Sequence, residues 1–267
     1  STFPSAGPKI VWRTPLGVSM SGMAIQGTQL FTLFQDDAAQ FAVCLKTSDG
    51  SEVWKTELAP LYENGMGNGP RATPSVSAEK VVVYTGEGIL VALDELTGKK
   101  QWSVDVPKSL GAKPSEYGMS CSPLIFESLV IVHAGASSAA VAAFDLATGK
   151  LAWKSGSGNA GYSSPVLMTL AGTNQVVSLT AAGASGIDPR NGSSLWSFDF
   201  PTEYDCNTAN PVQLSDDELL ISAGENHGSV VLKIQSDGKT FRAEEVWSSL
   251  GKDSQLRAEW QTPVVID

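Results

Sequence analysis

Histidine is nearly absent from this chain, with two residues, His133 and His227, and cysteine is scarce, with three. No CxxC occurs and the histidines form no HxxxH-type pair. Zinc ribbons, thioredoxin-like redox motifs and zinc-hydrolase sites therefore have no support. Cys44, Cys121 and Cys206 lie far apart, and an odd number leaves at least one thiol free in a monomer. Positive charge is also short. Against 28 Asp and Glu stand 18 Lys and Arg, a formal charge of −10 with a pI near 4.7. Phosphate backbones require clustered cations, so nucleic acid is not an expected partner, and anionic membrane surfaces repel such a chain. No apolar run reaches the ~18 residues of a membrane span. No Lys/Arg-flanked hydrophobic segment opens the sequence, which reads as a signal peptide absent or already removed. Ser1–Pro8 reads as an exposed extended arm. Sustained 3.6-residue periodicity is missing, which predicts almost no helix. No G-x-S-x-G elbow is present. Gly86-Glu-Gly88 and Gly156-Ser-Gly158 read as hairpin turns rather than phosphate cradles, because no helix follows either one.

What the chain has is repetition. Val91–Trp102 ends Asp-Glu-Leu-Thr-Gly-Lys-Lys-Gln-Trp, and Val141–Trp153 ends Asp-Leu-Ala-Thr-Gly-Lys-Leu-Ala-Trp. Gly186–Trp196 and Val43–Trp54 are looser copies. Trp12, Trp54, Trp102, Trp153, Trp196 and Trp247 are spaced by 42, 48, 51, 43 and 51 residues, a mean of 47. A second marker runs in phase: Thr73-Pro74, Ser122-Pro123, Ser164-Pro165, Asn210-Pro211 and Thr262-Pro263 each open an apolar segment. Between markers the composition is that of strands. In the second unit the expected strands are Pro74–Val76, Lys80–Thr85, Ile89–Asp94 and Lys100–Val104. In the third they are Pro123–Ile125, Leu129–His133, Ala140–Phe144 and Leu151–Lys154.

Four short strands every 47 residues predict an all-β propeller of four-stranded antiparallel blades. One Trp per blade is large enough to reach the neighbouring blade and bond a carbonyl there. The Gly before it supplies the turn's positive φ. Five full units are expected in a single domain, 1–267. Lys9–Arg13 matches an outer strand and Pro263–Ile266 an inner one, so the chain reads as part of a seven- or eight-bladed ring, incomplete toward the C-terminus.

The Ala-x-Asp-x-x-Thr-Gly-x-x-x-Trp pattern at Ala92–Trp102 and Ala143–Trp153 resembles the tryptophan-docking repeat of the PQQ-like (pyrroloquinoline-quinone-like) β-propeller family. Gly69–Pro74 and Ala160–Pro165 look like stretches of extracytoplasmic PQQ-binding-like repeat proteins of planctomycete-type bacteria. The resemblance implies an extracytoplasmic location and two functional expectations. The first is a non-catalytic binding or scaffold module with a protein partner, like the outer-membrane-protein assembly lipoprotein. The second is a PQQ- and Ca²⁺-dependent alcohol or polyol dehydrogenase. The vicinal Cys-Cys pair common in such dehydrogenases is missing, since Cys44, Cys121 and Cys206 are never adjacent.

Residues just before each inner-strand Pro should ring one mouth of the central channel: Asn68, Arg71, Thr73, Tyr117, Cys121, Asn159, Tyr162, Ser163, Asp205, Asn207, Asn210, Glu259, Trp260 and Gln261. Convergent polar groups in a concavity are a candidate ligand site, here for a cofactor, a polyol or a glycan. For PQQ the expected contacts are Arg71, Thr73, Tyr117, Tyr162, Asn210 and Trp260, with Arg71 as a fork for a carboxylate or quinone oxygen. Arg71 reads equally well as an ion-pair partner of Asp205 or Glu259. For Ca²⁺, which takes oxygen donors, the candidates are Asp205, Asn207 and Glu259. His133 reads as a hydrogen-bonded strand-end histidine. A Ser-His-Asp triad stays open among so many serines.

Overall fold

In the computed structural model, which describes residues 7–77 and 79–266, the apolar segments form five four-stranded antiparallel sheets. The first holds β1 (Ala24–Gln26), β2 (Gln29–Gln35), β3 (Ala39–Lys46) and β4 (Glu52–Pro60). The second holds β5 (Ser75–Ser77), β6 (Lys80–Tyr84), β7 (Ile89–Asp94) and β8 (Lys100–Asp105). The third holds β9 (Leu124–Phe126), β10 (Leu129–Ala136), β11 (Ala139–Asp145) and β12 (Leu151–Ser155). The fourth holds β13 (Val166–Leu170), β14 (Thr173–Thr180), β15 (Gly183–Ile187) and β16 (Ser194–Asp199). The fifth holds β17 (Val212–Gln213), β18 (Glu218–Ala223), β19 (Gly228–Ser236) and β20 (Phe241–Leu250). Each sheet is a meander in chain order, and β5 touches both β1 and β9, so first strands face a common axis. Among the described residues the helical segments are α1 (Val106–Leu110) and a 3₁₀ turn at Glu203–Asp205. Asp105 caps α1 by accepting from Lys108 N, a local signal the strand pattern hides. Ser1–Ala6 of the expected extended arm lie outside the described residues.

The middle strands are apolar on consecutive residues, not alternate ones. Val81, Val82, Val83 and Tyr84 are all fully buried, as are Leu90 to Leu93. In the second, third and fourth sheets both faces are therefore covered by neighbouring sheets, while the first packs one face on the second sheet and the other with Trp12. Full burial of such side chains contributes ~1.5–3 kcal/mol each.

Two hydrogen-bond series lock the sheets together, and each explains one sequence marker. In the first, a fourth-strand indole N–H donates to a carbonyl of the next sheet. Trp12 bonds Thr47 O at 2.8 Å, Trp54 bonds Glu95 O at 2.9 Å, Trp102 bonds Leu146 O at 2.9 Å and Trp153 bonds Pro189 O at 3.0 Å. The accepting turn is built by its own sequence. Asp145 Oδ1 accepts from the Thr148 N–H and hydroxyl, and Asp145 O accepts from Gly149 N. Gly149 sits at φ 70°, and a Cβ there would lie 2.8 Å from the Trp102 ring. Glycine is needed twice over, for the backbone and for the indole's approach.

The second series runs through the Pro markers. Thr73 N donates to Ser122 Oγ at 3.0 Å and Ser122 N to Ser164 Oγ at 2.9 Å. Ser164 N donates to Asn210 Oδ1 at 2.7 Å and Asn210 N to Thr262 Oγ1 at 3.1 Å. Since Pro cannot donate, the residue before it carries the inter-sheet bond. The result is a polar belt around the axis.

The fourth sheet breaks the first series. Trp196 donates to Gln175 Oε1 of its own sheet at 2.6 Å. The fifth sheet has no docking turn to offer: its β19–β20 hairpin has strands of nine and ten residues that turn at Asp237-Gly238. Trp247 is 38% exposed. The expected end strands also differ. Lys9–Arg13 and Pro263–Ile266 run without ladder partners, although Trp12 still docks. A strand needs a neighbour to take up its backbone bonds, and among the described residues no strand pairs with either segment.

A candidate ligand site at the channel mouth

Loops joining the fourth strand of one sheet to the first of the next converge at one end of the axis. There they enclose a cavity of about 440 Å³ lined by Met20, Met66, Arg71, Tyr117, Ser120, Tyr162, Cys206, Thr208 and Trp260. Arg71, Tyr117, Tyr162 and Trp260 were expected here from sequence. Tyr117 and Tyr162 stack at 5.6 Å between centroids, and Tyr117 N donates to the Tyr162 hydroxyl. Burial pushes the Tyr162 phenol up to about 12, and desolvation with neighbouring Glu116 raises Tyr117. Both are protonated at neutral pH.

Arg71 is held from below. Its Nη1 donates to Gly69 O and its Nη2 to Gly67 O, each at 2.6 Å, and its guanidinium lies 4.8 Å from the Tyr62 ring centroid. Desolvation lowers its pKa from the ordinary value, though an arginine stays charged. The expected ion pair with Asp205 or Glu259 is not among the ion pairs of the described residues. Asp205 instead accepts from Asn159 Nδ2 at 2.6 Å.

Several expected mouth residues have structural partners. Thr73 and Asn210 belong to the polar belt. Cys121 and Ser163 are buried beneath the loops, and Ser163 Oγ donates to Leu179 O. Asn207 is fully buried, its amide donating to Thr180 O and Phe200 O. Asn68 Oδ1 accepts from Asn64 N within its own loop. Glu259 packs against Gly224, with its carbonyl accepting from Thr208 Oγ1. Gln261 is exposed.

Among the described residues no group of three or more His, Cys, Asp or Glu is arranged to hold a metal ion. Of the expected calcium ligands, Asp205 accepts from Asn159 Nδ2, and Asn207 spends its amide nitrogen on the backbone while its Oδ1 is buried without a hydrogen-bond partner among the described residues. Arg71 lines the cavity with one N–H of each terminal nitrogen on a carbonyl and its other N–H groups without a hydrogen bond among the described residues. The arginine expected at a quinone is thus at the cavity, while no acidic cluster for a metal is assembled among the described residues.

His133 lies inside β10, not at its end, because the strand continues to Ala136. Its Nε2 is 2.8 Å from Ser178 Oγ, a Ser–His pair, yet the residue is wholly buried and Nδ1 has no partner. Burial brings its pKa down to about 4. Without an acid or access, this pair cannot act as a triad.

Two further cavities flank the first; Asn159, Tyr162 and Asp205 were expected at the mouth, whereas Glu116, Tyr204, Glu203, Glu225 and Asn226 were not. One of about 310 Å³ includes Glu116, Asn159, Tyr162, Tyr204 and Asp205. The other, about 320 Å³, includes Glu203, Cys206, Glu225, Asn226 and His227. Tyr204, Asp205, Glu225 and Asn226 all hold positive φ, 57°, 58°, 48° and 63°. Such strain in non-glycine residues gathers where function constrains a loop. A run of polar residues at Tyr204–Asn207 and Gly224–His227 was the available signal.

Sheets set around an axis, with a polar and aromatic mouth, define the class of protein: a β-propeller. The chain belongs to the family described as outer membrane protein assembly factor BamB, whose match covers residues 5–116 and 43–256. BamB from Moraxella catarrhalis superposes with a TM-score of 0.68 at 16% identity, covering 98% of this chain and 72% of that one. The quinohemoprotein alcohol dehydrogenase of Comamonas testosteroni superposes at 0.58 and 16% identity, over 86% of this chain and 43% of its own. In sequence, quinohemoprotein alcohol dehydrogenase ADH IIB of Pseudomonas putida is 34% identical over 119 residues, 42% of this chain and 17% of the dehydrogenase. The chain thus spans a small part of that relative. Among the described residues no helix is long and apolar enough to cross a membrane.

Proposed function

We infer that this chain is a non-catalytic, extracytoplasmic propeller module that binds a protein partner at its channel mouth. The extracytoplasmic part rests on the family, and the Gly69–Pro74 and Ala160–Pro165 stretches favour its repeat-protein branch. One observation carries the non-catalytic part. Oxidising a hydroxyl calls for a base beside the reacting atoms, and the lining of the central mouth cavity includes no carboxylate or histidine: the acids of the mouth, Glu116, Asp205, Glu203 and Glu225, line the two side cavities instead. The second reading, a PQQ- and calcium-dependent alcohol dehydrogenase, draws on the likeness to the Pseudomonas putida enzyme.

A fluorescence titration with PQQ, with and without Ca²⁺, separates the two. The mouth holds an exposed indole, Trp260, that would report binding. The expected result is no saturable quenching and no reduction of an artificial acceptor with alcohols. Calcium-dependent, saturable binding lost in Arg71→Ala would overturn the module reading.

A further inference from the structure

The three mouth cavities are one trough. Tyr162 lines both the 440 Å³ and the 310 Å³ cavity, and Cys206 lines both the 440 Å³ and the 320 Å³ cavity. Its central part is apolar and open. Met20 is 49% exposed, Met66 53% and Trp260 59%, and Tyr204, which lines the 310 Å³ cavity, 65%. Methionine and aromatic side chains left in water at one place mark a docking surface.

Its flank is rich in carboxylates. Glu116 and Asp205 line one side cavity, Glu203 and Glu225 the other, and Glu259 packs on Gly224 between loops. They come from three separate loops and the tail. None of the five is in an ion pair among the described residues. Burial raises the Cys206 thiol, and Glu225, Asp205, Glu116 and Glu259 all add to that rise, so four carboxylates bear on one atom. Three cations lie at the mouth: Lys113 lines the 310 Å³ cavity, Arg257 donates to Asn226 Oδ1 at the 320 Å³ cavity, and Arg71 is held on carbonyls in the central one.

An apolar channel beside an arc of five carboxylates, none of them in an ion pair among the described residues, is complementary to one kind of surface. The geometry points to an extended segment of a partner protein in which basic residues alternate with large apolar ones. In an extended chain, successive side chains point to opposite sides about 3.3 Å apart along the axis. Leucine or phenylalanine then enters the Met20–Met66–Trp260 cavity while lysine or arginine faces Asp205 and Glu225. Opposite charge sets orientation and speeds encounter, while the apolar anchors hold the complex. This inference rests on the protein-binding reading above and adds the chemistry of the partner.

The test is fluorescence anisotropy with three labelled seven-residue peptides. One alternates lysine with leucine and phenylalanine, the second has glutamate for lysine, and the third has serine for the apolar residues. The first peptide should bind saturably and less tightly at higher salt. The double variant Asp205→Asn, Glu225→Gln should weaken it by about tenfold, equivalent to ~1.4 kcal/mol. Trp260→Ala should weaken it while leaving the salt dependence unchanged. A charge-matched control, Glu52→Gln with Glu57→Gln on the exposed face of β4, should bind like the parent protein. Thermal melts confirm that each variant is folded. Equal binding of the glutamate or serine peptide, or equal loss in the control, would overturn the proposal. If no peptide binds and PQQ does not bind either, the partner chemistry falls and the non-catalytic reading stands. If PQQ binds in the peptide's place, both fall.

Discussion

At the scale of single residues, burial sets the chemistry of this protein more than charge does. Cys44 and Cys121 are buried, and their thiols are pushed up to about 11 and about 12 by desolvation. His133 is the sharper case, because its shift runs against protonation. Its pKa falls from 6.5 to about 4 through burial alone. Between those values the unfolded chain binds a proton that the native state refuses, so stability must fall as pH drops from 6.5 toward 4. Above 6.5 the residue is neutral in both states and contributes no pH dependence. Replacing it with glutamine keeps a polar side chain for Ser178 and removes the titration. Urea midpoints measured from pH 4 to 7 should therefore vary less with pH in His133→Gln than in the parent. Parallel slopes in the two proteins would show that other groups govern acid sensitivity.

At the scale of elements, the tryptophan repeat is a set of joints, and the joints differ. Trp153 is 7% exposed and bonds Pro189 O, whereas Trp247 is 38% exposed. Trp153→Phe should cost ~1 kcal/mol or more, since it leaves a buried carbonyl without its donor. Trp247→Phe should cost close to nothing. Denaturant melts of the two variants check this, and equal losses would mean that the indole bond is not what matters. Much of this was legible in the sequence. The Asp-x-x-Thr-Gly turn encodes its own hydrogen bonds, so β7 was placed to the residue and its neighbours to within one or two. The exception was legible too, though unread. Glycine precedes Trp54, Trp102, Trp153 and Trp196 by four residues, but the turn glycine Gly238 precedes Trp247 by nine. The Gln175 acceptor of Trp196 left no trace, because it depends on a side chain meeting another across its own sheet. The mouth was half legible. Position before proline located Arg71, Tyr117, Tyr162 and Trp260 correctly at the cavity. It could not tell that the Asn207 and Asn210 side chains would be taken up by backbone groups, or that Thr73 would donate its N–H to Ser122 Oγ. Nor could it place Glu116 and Glu225 together, since they lie 109 residues apart and meet only through the turn of the propeller.

At the scale of the whole molecule, stability depends on how evenly the sheets are joined. A repeat array behaves as a row of units coupled to their neighbours, and it opens first where the coupling is weakest. Four indole bonds tie the segment before the first sheet to it, then the first to the second, the second to the third and the third to the fourth. The fourth and fifth sheets lack one, because Trp196 bonds within its own sheet. They keep a belt bond, Ser164 N to Asn210 Oδ1, and a shared apolar core that includes Trp196, Leu219, Ile221, Val230 and Leu232. That core is non-directional, so it resists separation without fixing register. The fifth sheet also has a partly exposed last strand, with Val246 and Leu250 open to solvent. Native-state hydrogen exchange under mild denaturant should therefore show β18 to β20 opening below the concentration at which β6, β7, β10 and β11 exchange. Exchange of all five sheets at one denaturant concentration would mean that the apolar core, with the belt bond and the bonds from Ala171 N to Asp216 O and Gln213 Nε2 to Thr169 O, couples the fifth sheet as firmly as an indole bond couples the others.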